Sequence, residues 1–171
     1  MILTTPRLTL RPWDTRDIDV LPGIANDRSI WLNVRDGFPH PYDRASAEAW
    51  VALCAKGTMP HSFAIDANGS AIGGIGLHPL DDVHRKTAEL GYWLGIAHWG
   101  RGFATEAVRA IVEYGFSQLP LERIQAGVYD WNEASSRVLL KANFQFEGRM
   151  RRHAFKDTKL VDMLLYARIR S

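Results

Sequence analysis

Cysteine, an excess of one charge and long apolar runs are all nearly missing from this chain of 171 residues. Cys54 is the single cysteine, which excludes an internal disulfide and a cluster of thiolate metal ligands. Lysine and arginine number 21 against 19 acidic residues, so the formal charge of +2 is too small to indicate nucleic-acid binding. No apolar run approaches the roughly 18 residues that span a bilayer. We therefore expect a cytoplasmic protein with no metal, no membrane and no nucleic-acid partner.

The spacing of apolar residues predicts a single mixed α/β (α+β) domain over residues 1–171. Seven segments have the pattern of strands: 8–12, 62–65, 71–77, 87–94, 123–129, 144–155 and 160–169. Four segments have the pattern of helices: 15–25, 43–56 or 46–56, 103–118, and 132–142 or 134–142. Together these elements predict a mostly antiparallel sheet with helices on its faces.

A glycine-rich turn follows the predicted strand 87–94 and opens the predicted helix that ends near Gln118. It reads Trp-Gly-Arg-Gly-Phe-Ala-Thr-Glu-Ala over residues 99–107. The backbone N–H groups of such a turn, together with the positive end of the helix dipole, form a site for phosphate. Gly100 and Gly102 place no Cβ between the backbone and a ligand, and Arg101 adds a positive charge. The turn therefore predicts binding of a cofactor that carries a pyrophosphate.

Two common phosphate-binding motifs do not fit this turn. A dinucleotide-binding turn has a third glycine in the spacing Gly-x-Gly-x-x-Gly, whereas position 105 is Thr. A P-loop ends in Gly-Lys-Ser/Thr, which the turn lacks. The turn by itself thus leaves a structural role without a ligand open.

Further stretches in a fixed order extend the pattern beyond the turn. They are Arg-Leu-Thr-Leu-Arg-Pro-Trp at 7–13, Ala-Glu-Leu-Gly-Tyr-Trp-Leu at 88–94, Asn-Glu-Ala-Ser at 132–135, Lys141, and Phe-Gln-Phe-Glu-Gly at 144–148. With the turn, they resemble the GNAT superfamily of acetyl-CoA-dependent N-acetyltransferases, in particular the branch of the ribosomal-protein N-terminal acetyltransferases RimJ and RimL. The superfamily pattern Gln/Arg-x-x-Gly-x-Gly/Ala maps onto Trp99, Gly102 and Ala104. Trp99 departs from the general pattern but agrees with that branch.

The resemblance implies a GNAT-like, mostly antiparallel sheet of seven strands with about four helices, and two strands splayed apart where acetyl-CoA binds as co-substrate. Backbone amides would hold its pyrophosphate at Gly100, Arg101, Gly102, Phe103, Ala104 and Thr105. The pantetheine arm would pair with the strand backbone near Tyr92, Trp93 and Leu94. Asn132 would hydrogen-bond the same arm, although a helix N-cap is the alternative role of this residue.

The same resemblance implies direct attack of an amine on the thioester in a ternary complex. Glu89, in the strand that faces the thioester, is the candidate base that takes the amine proton directly or through water. A surface carboxylate or an ion-pair partner is its alternative role. Ser135 lies where this branch places a hydroxyl near the sulfur, and could relay a proton or donate a hydrogen bond to the thiolate. Helix capping is the alternative for Ser135, and Tyr129 is the reserve donor.

We expect the acceptor pocket in the irregular segment 31–42, with Tyr92 and Trp93. Trp31 and Asp36 are the candidate acceptor-binding residues of this segment, because a carboxylate attracts a cationic amine; packing is the alternative role of its aromatic side chains. The likeness to the branch favours the N-terminal α-amino group of a protein or peptide as acceptor. A polyamine, aminoglycoside or amino-acid-like acceptor and a non-catalytic acyl-CoA-binding module are the alternatives. Both a monomer and a homodimer are compatible with the likeness.

Overall fold

Eight strands form one sheet in the computed structural model, which describes residues 1–170. They are β1 (Leu3–Thr4), β2 (Thr9–Arg11), β3 (Ser62–Ala67), β4 (Ser70–Pro79), β5 (Thr87–Leu94), β6 (Arg123–Tyr129), β7 (Gln145–Lys156) and β8 (Lys159–Ile169). Their order across the sheet is β1-β2-β3-β4-β5-β6-β8-β7. Every neighbouring pair is antiparallel except β5 and β6. This confirms the mixed, mostly antiparallel α/β fold that the sequence predicts.

Helices flank this sheet on two faces. The helices are α1 (Asp17–Ala25), α2 (Arg28–Trp31), α3 (Arg44–Ala55), α4 (Phe103–Gln118) and α5 (Glu133–Lys141). The apolar side of α4 packs on β4 and β5, where Leu77, Leu90 and Ile111 share one buried cluster. Helices α1 and α3 pack on the opposite face, around Trp13 and Ala64. None of the described helices combines the length and the apolar character that a bilayer crossing requires.

The structure adds two short elements to those that the sequence predicts. The extra strand, β1, has two residues and pairs Leu3 with Leu10 and Thr4 with Thr9. The extra helix, α2, is one turn that ends at Trp31, the first residue of the segment expected to be irregular. Neither element is long enough to show an apolar periodicity. The sequence therefore predicts seven strands and four helices, one fewer of each than the structure contains.

Strands β5 and β6 run in parallel and then separate. Their pairing ends after three residue pairs, the last of which joins Glu89 to Gln125, although β5 continues to Leu94 and β6 to Tyr129. The crossover between them is α4, as parallel neighbours require. The splayed strands implied by the resemblance are therefore present, and the gap between them opens above the start of α4.

A buried charge cluster joins β2 to the α1–α3 face. Arg11 donates hydrogen bonds from Nη1 and Nη2 to the two carboxylate oxygens of Asp17, both at 2.8 Å, and from Nε to Asp66 at 2.7 Å. The three residues are 6%, 1% and 5% exposed. The hydrogen bonds to Asp17 are the largest influence on Arg11 and raise its pKa. Both buried carboxylates therefore contact the same guanidinium as counter-charge, which offsets part of the cost of burying them.

Candidate active site

A cleft of about 320 Å³ lies where β5 leaves β6, between the start of α4 and one side of α5. Many residues predicted for the site line it: Tyr92, Trp93, Leu94, Gly100, Gly102, Phe103, Ala104, Thr105, Asn132 and Ser135. The other predicted residues, Glu89, Arg101, Trp31 and Asp36, lie outside this lining. The structure thus gathers most of the predicted cofactor residues around one cleft and places the predicted acceptor residues Trp31 and Asp36 elsewhere.

The glycine turn forms the floor of the cleft at the start of α4. Gly100 and Gly102 have φ values of 72° and 79°, a left-handed conformation that glycine adopts without a steric cost. Gly102 is the N-cap of α4, and no side chain caps this helix end. The first N–H groups of a helix have no partner within it, and the helix dipole adds partial positive charge. The turn is therefore built to accept an anion.

Arg7 braces the turn from outside. Its Nε donates to Glu106 at 2.7 Å and its Nη1 donates to the carbonyl of Arg101 at 3.0 Å. The Arg7 guanidinium also lies 4.7 Å from the ring centroid of Phe103. Burial opposes ionisation of Glu106, but hydrogen bonds from Thr5 and Arg7 outweigh it and lower the pKa of that carboxyl. The chain's N-terminal segment thereby holds the turn in place with an ionised carboxylate.

The far wall of the cleft begins at the N-terminus of α5. The side-chain oxygen of Asn132 accepts a hydrogen bond from the backbone N–H of Ser135 at 3.1 Å, so Asn132 is the N-cap of α5. This cap uses the side-chain oxygen and leaves the amide NH₂ group as a donor beside the cleft. The capping role that the sequence leaves open for Asn132 is therefore present, and it is compatible with a second role in binding.

Two hydroxyl groups meet across the cleft. Tyr92 Oη of β5 lies 2.6 Å from Ser135 Oγ of α5. Burial raises the pKa of Tyr92 to about 12, although the hydrogen bond to Ser135 acts in the opposite direction. Tyr92 therefore keeps its proton throughout the neutral range. The pair can donate a proton or a hydrogen bond to a group that becomes negative between β5 and α5.

Glu89 points away from this hydroxyl pair and forms an ion pair with Arg35. The hydrogen bond to Glu89 is the largest influence on Arg35 and raises its pKa. Glu89 is directly opposite His78 in the pairing of β5 with β4. The ion pair is one of the alternatives that the sequence leaves open for Glu89, and its role as the base stays a prediction.

Lys156 contacts two of the predicted acceptor residues, Asp36 and Trp31. Its Nζ lies 2.5 Å from a carboxylate oxygen of Asp36 and 3.7 Å from the ring centroid of Trp31. The Lys156 side chain is 1% exposed, whereas that of Asp36 is 65% exposed. The contact ties the end of β7 to the segment between α2 and α3. The acceptor-binding role of Asp36 and Trp31 stays a prediction. An acceptor amine bound there would lie beside the ammonium of Lys156.

Residues 7–145 match the family described as the acetyltransferase (GNAT) domain. The chain belongs to the GNAT family of N-acetyltransferases. It is 33% identical over 168 residues to the uncharacterized N-acetyltransferase p20 of Bacillus licheniformis, a match covering 96% of this chain and 94% of that protein. It is 32% identical over 126 residues to the ribosomal-protein-serine acetyltransferase of Escherichia coli (strain K12), covering 74% of this chain and 69% of that one.

The fold is shared with solved GNAT structures. RimJ of Mycobacterium smegmatis in complex with CoA-disulfide superimposes with a TM-score of 0.83 at 25% identity, covering 99% of this chain and 86% of that one. The recognition of a GNAT enzyme of the RimJ/RimL-like branch from its sequence is therefore confirmed. The motif stretches that carried it flank the observed cleft, from Tyr92 to Lys141.

Several residues that line the cleft were not predicted as site residues from the sequence. On α5 these are Ala134, Arg137, Val138 and Lys141, which share one side of the helix at spacings of three and four. That spacing, counted from Ala134, is a signal that could have found them. His98 also lines the cleft, and its Nδ1 is buried without a hydrogen-bond partner among the described residues. Nothing in the local sequence marks His98, because its contact with the cleft depends on the tertiary fold.

Proposed function

We propose that this GNAT enzyme transfers the acetyl group of acetyl-CoA to a primary amine, by direct attack in a ternary complex. We further propose that the acceptor is the N-terminal α-amino group of a protein. The observation that carries the first part is the separation of β5 from β6 after Glu89, directly above the uncapped start of α4. This separation places the free edge of β5 and the candidate anion site at the start of α4 in one cleft.

The cleft fits acetyl-CoA in its charge and in its hydrogen bonding. The free amides at the start of α4 suit the pyrophosphate, and Lys141 and Arg137 add positive charge on the opposite wall. The edge of β5 beyond Glu89 has no strand partner on the β6 side, so its backbone groups can pair with the amides of pantetheine. The orphaned Nδ1 of His98 offers one more polar contact. Together these groups match a long, phosphorylated, amide-bearing ligand.

The bound thioester would supply the acetyl group, and the chain's own residues would manage the charge. The Tyr92–Ser135 hydroxyl pair lies on the cleft side of β5 and would protonate the leaving thiolate. A backbone N–H of β5 would stabilise the negative charge on the thioester oxygen. These groups serve the leaving thiolate and the thioester oxygen, and the proton that the amine loses needs a separate acceptor.

The relatives support the protein acceptor. One is named as a ribosomal-protein-serine acetyltransferase, and RimJ has the same fold with a bound CoA-disulfide. An N-terminal amine differs from a lysine side chain by its lower pKa, so a larger fraction is neutral and nucleophilic at neutral pH.

The test is release of free thiol from acetyl-CoA with a panel of amines. The panel includes a Ser-Ala-Ala-Ala peptide, the same peptide with a blocked N-terminus, a polyamine and an aminoglycoside. We expect thiol release with the free peptide and none above background with the blocked one. Faster release with the polyamine or the aminoglycoside would replace the protein acceptor with a small molecule. Tight binding of acetyl-CoA with no release for any amine would overturn the catalytic proposal.

A further inference from the structure

The two faces of β5 carry different chemistry at the point where β6 departs. Leu90, Tyr92 and Leu94 point toward α4 and belong to or pack on its apolar cluster. Glu89, Gly91 and Trp93 alternate with them and point to the opposite face, where Trp93 packs on the α1–α3 cluster. The thiolate donor Tyr92 and the carboxylate Glu89 therefore lie on opposite sides of the strand.

Gly91 leaves an open space on that opposite face. It is exposed, although Glu89 and Trp93, its neighbours on the same face of the strand, are partly covered. A Cβ at this position would meet only the Nε2 of His78, at 3.8 Å. His78 is on β4, opposite Glu89 in the register, so the imidazole reaches diagonally over Gly91. An imidazole, a carboxylate and a space without a side chain thus meet where the strands begin to separate.

The two titratable groups beside this space differ in their partners. The carboxylate of Glu89 is already engaged by the guanidinium of Arg35. The imidazole of His78 takes part in none of the side-chain hydrogen bonds found in residues 1–170. Of the two, His78 is the group whose nitrogen is free to accept a proton.

We propose that the acceptor amine binds over Gly91, on the face of the sheet opposite α4, and that His78 accepts the proton that the amine loses. This inference rests on the proposed acetyl transfer and names a further catalytic residue for it. Glu89 faces the same space with its carboxylate already paired to Arg35. The acceptor and the Tyr92–Ser135 pair then approach the thioester from opposite sides of β5.

The reaction balances with these groups. The ammonium of the acceptor gives one proton to Nε2 of His78, and the neutral amine then forms a bond to the thioester carbonyl carbon. The carbon–sulfur bond then breaks, and the thiolate takes a proton from the hydroxyl pair of Tyr92 and Ser135. His78 releases its proton to solvent. The attacking nitrogen loses a second proton as the amide forms, and the hydroxyl pair regains one in its place. The net products are an amide, free coenzyme A thiol and one proton from the original ammonium.

The charges around His78 are compatible with this role. Burial is the largest influence and lowers the pKa of His78 below its ordinary value of about 6.5, and the positive charge of Arg35 acts in the same direction. The negative charge of Glu89 raises the pKa of His78, and His61 lowers it by a smaller amount. The imidazole is therefore neutral, and able to accept a proton, at neutral pH.

The decisive measurement is kcat/KM against pH with acetyl-CoA and the Ser-Ala-Ala-Ala peptide, or the amine that releases most thiol in the panel. The wild-type rate should rise with pH through a limb below about pH 6.5 and then level off. His78→Gln should lose this limb and fall by about 100-fold, the lower end of what a general base supplies. The matched control is His84→Gln, an exposed histidine in the turn before β5, which should keep the wild-type profile.

A second variant tests the binding space independently of proton transfer. Gly91→Val fills the space over Gly91, and we expect KM for the amine to rise at least about tenfold while acetyl-CoA affinity stays unchanged. If His78→Gln retains the wild-type rate and limb, or Gly91→Val leaves KM unchanged, while an amine releases thiol, this inference is wrong and the proposed function stands. If no amine releases thiol, both are wrong.

Discussion

Tyr92 and Ser135 place their hydroxyl oxygens 2.6 Å apart, although they come from β5 and α5, which are separated by the whole of α4 and β6. The same two elements form opposite walls of the cleft. Tyr92 supplies a partly buried hydroxyl that keeps its proton, and the Ser135 hydroxyl shares a hydrogen bond with it. A serine alone is a poor acid, so the pairing with Tyr92 supports the proposed role of this position as proton donor to the leaving thiolate.

Ser135→Ala should lower kcat by about 100-fold and change acetyl-CoA affinity little, because it breaks the hydroxyl pair without altering the anion site. Tyr92→Phe should do the same, and the double variant should be no slower than the slower single one, since both residues act in one proton transfer. Steady-state kinetics and calorimetric titration with coenzyme A measure both quantities. Ser136→Ala is the matched control, because the Ser136 hydroxyl is buried on the same helix with no partner among the described residues. Wild-type kinetics for Ser135→Ala would leave Ser135 with a purely structural role at the start of α5.

Gly102→Glu should abolish binding of acetyl-CoA, because it brings a carboxylate to the N-cap of α4, where the pyrophosphate is proposed to sit. A non-glycine residue with a left-handed backbone also costs about 1–2 kcal/mol in stability. Gly57→Glu controls for that cost, since Gly57 has a φ of 73° in an open turn after α3. We expect both variants to lose similar stability and only Gly102→Glu to lose binding in a calorimetric titration. Unchanged affinity in Gly102→Glu would contradict the phosphate site.

Lys156 and Asp36 should respond asymmetrically to substitution. Asp36→Ala leaves the buried ammonium of Lys156 with only the Trp31 ring for a partner, and should cost about 3 kcal/mol in the free energy of unfolding. Lys156→Met keeps the packing volume and frees an exposed carboxylate that water solvates, so it should cost about 1 kcal/mol or less. Urea denaturation followed by fluorescence measures both. Equal losses in the free energy of unfolding for the two variants would show that the Lys156 ammonium is not desolvated, although its buried position indicates that it is.

Arg11→Met should be strongly destabilising, because it leaves the carboxylates of Asp17 and Asp66 buried without a counter-charge. We expect a loss of about 3–5 kcal/mol in urea denaturation. Arg44→Met removes an arginine that also binds two acids, Asp19 and Glu48, but at the surface. This control should change stability little, because water already solvates both surface acids. A similar small effect for Arg11→Met would mean that water or a rearrangement compensates the buried acids.

Much of the fold follows from local sequence patterns. Strands 87–94 and 123–129 have the predicted bounds, and α4 ends at Gln118 as expected. Asn143 has the left-handed backbone, with a φ of 64°, that suits its place after α5. These features depend on side-chain periodicity, turn residues and capping within a few positions of each other. The glycine turn belongs to this group, because its conformation and its helix start are both local.

The acceptor side of the site could not be predicted in the same way. The sequence shows that Glu89 is in a strand and Asp36 in an irregular segment, but not that Arg35 binds the first and Lys156 the second. Nor does it show that β4 sets His78 across from Glu89, or that Tyr92 meets Ser135. Each of these contacts joins residues from different elements, and its energy depends on distance and burial that only the assembled sheet provides. The sequence by itself determined the family, the longer elements and the glycine turn; the tertiary structure decided which charges are already paired and which side chains remain for the chemistry.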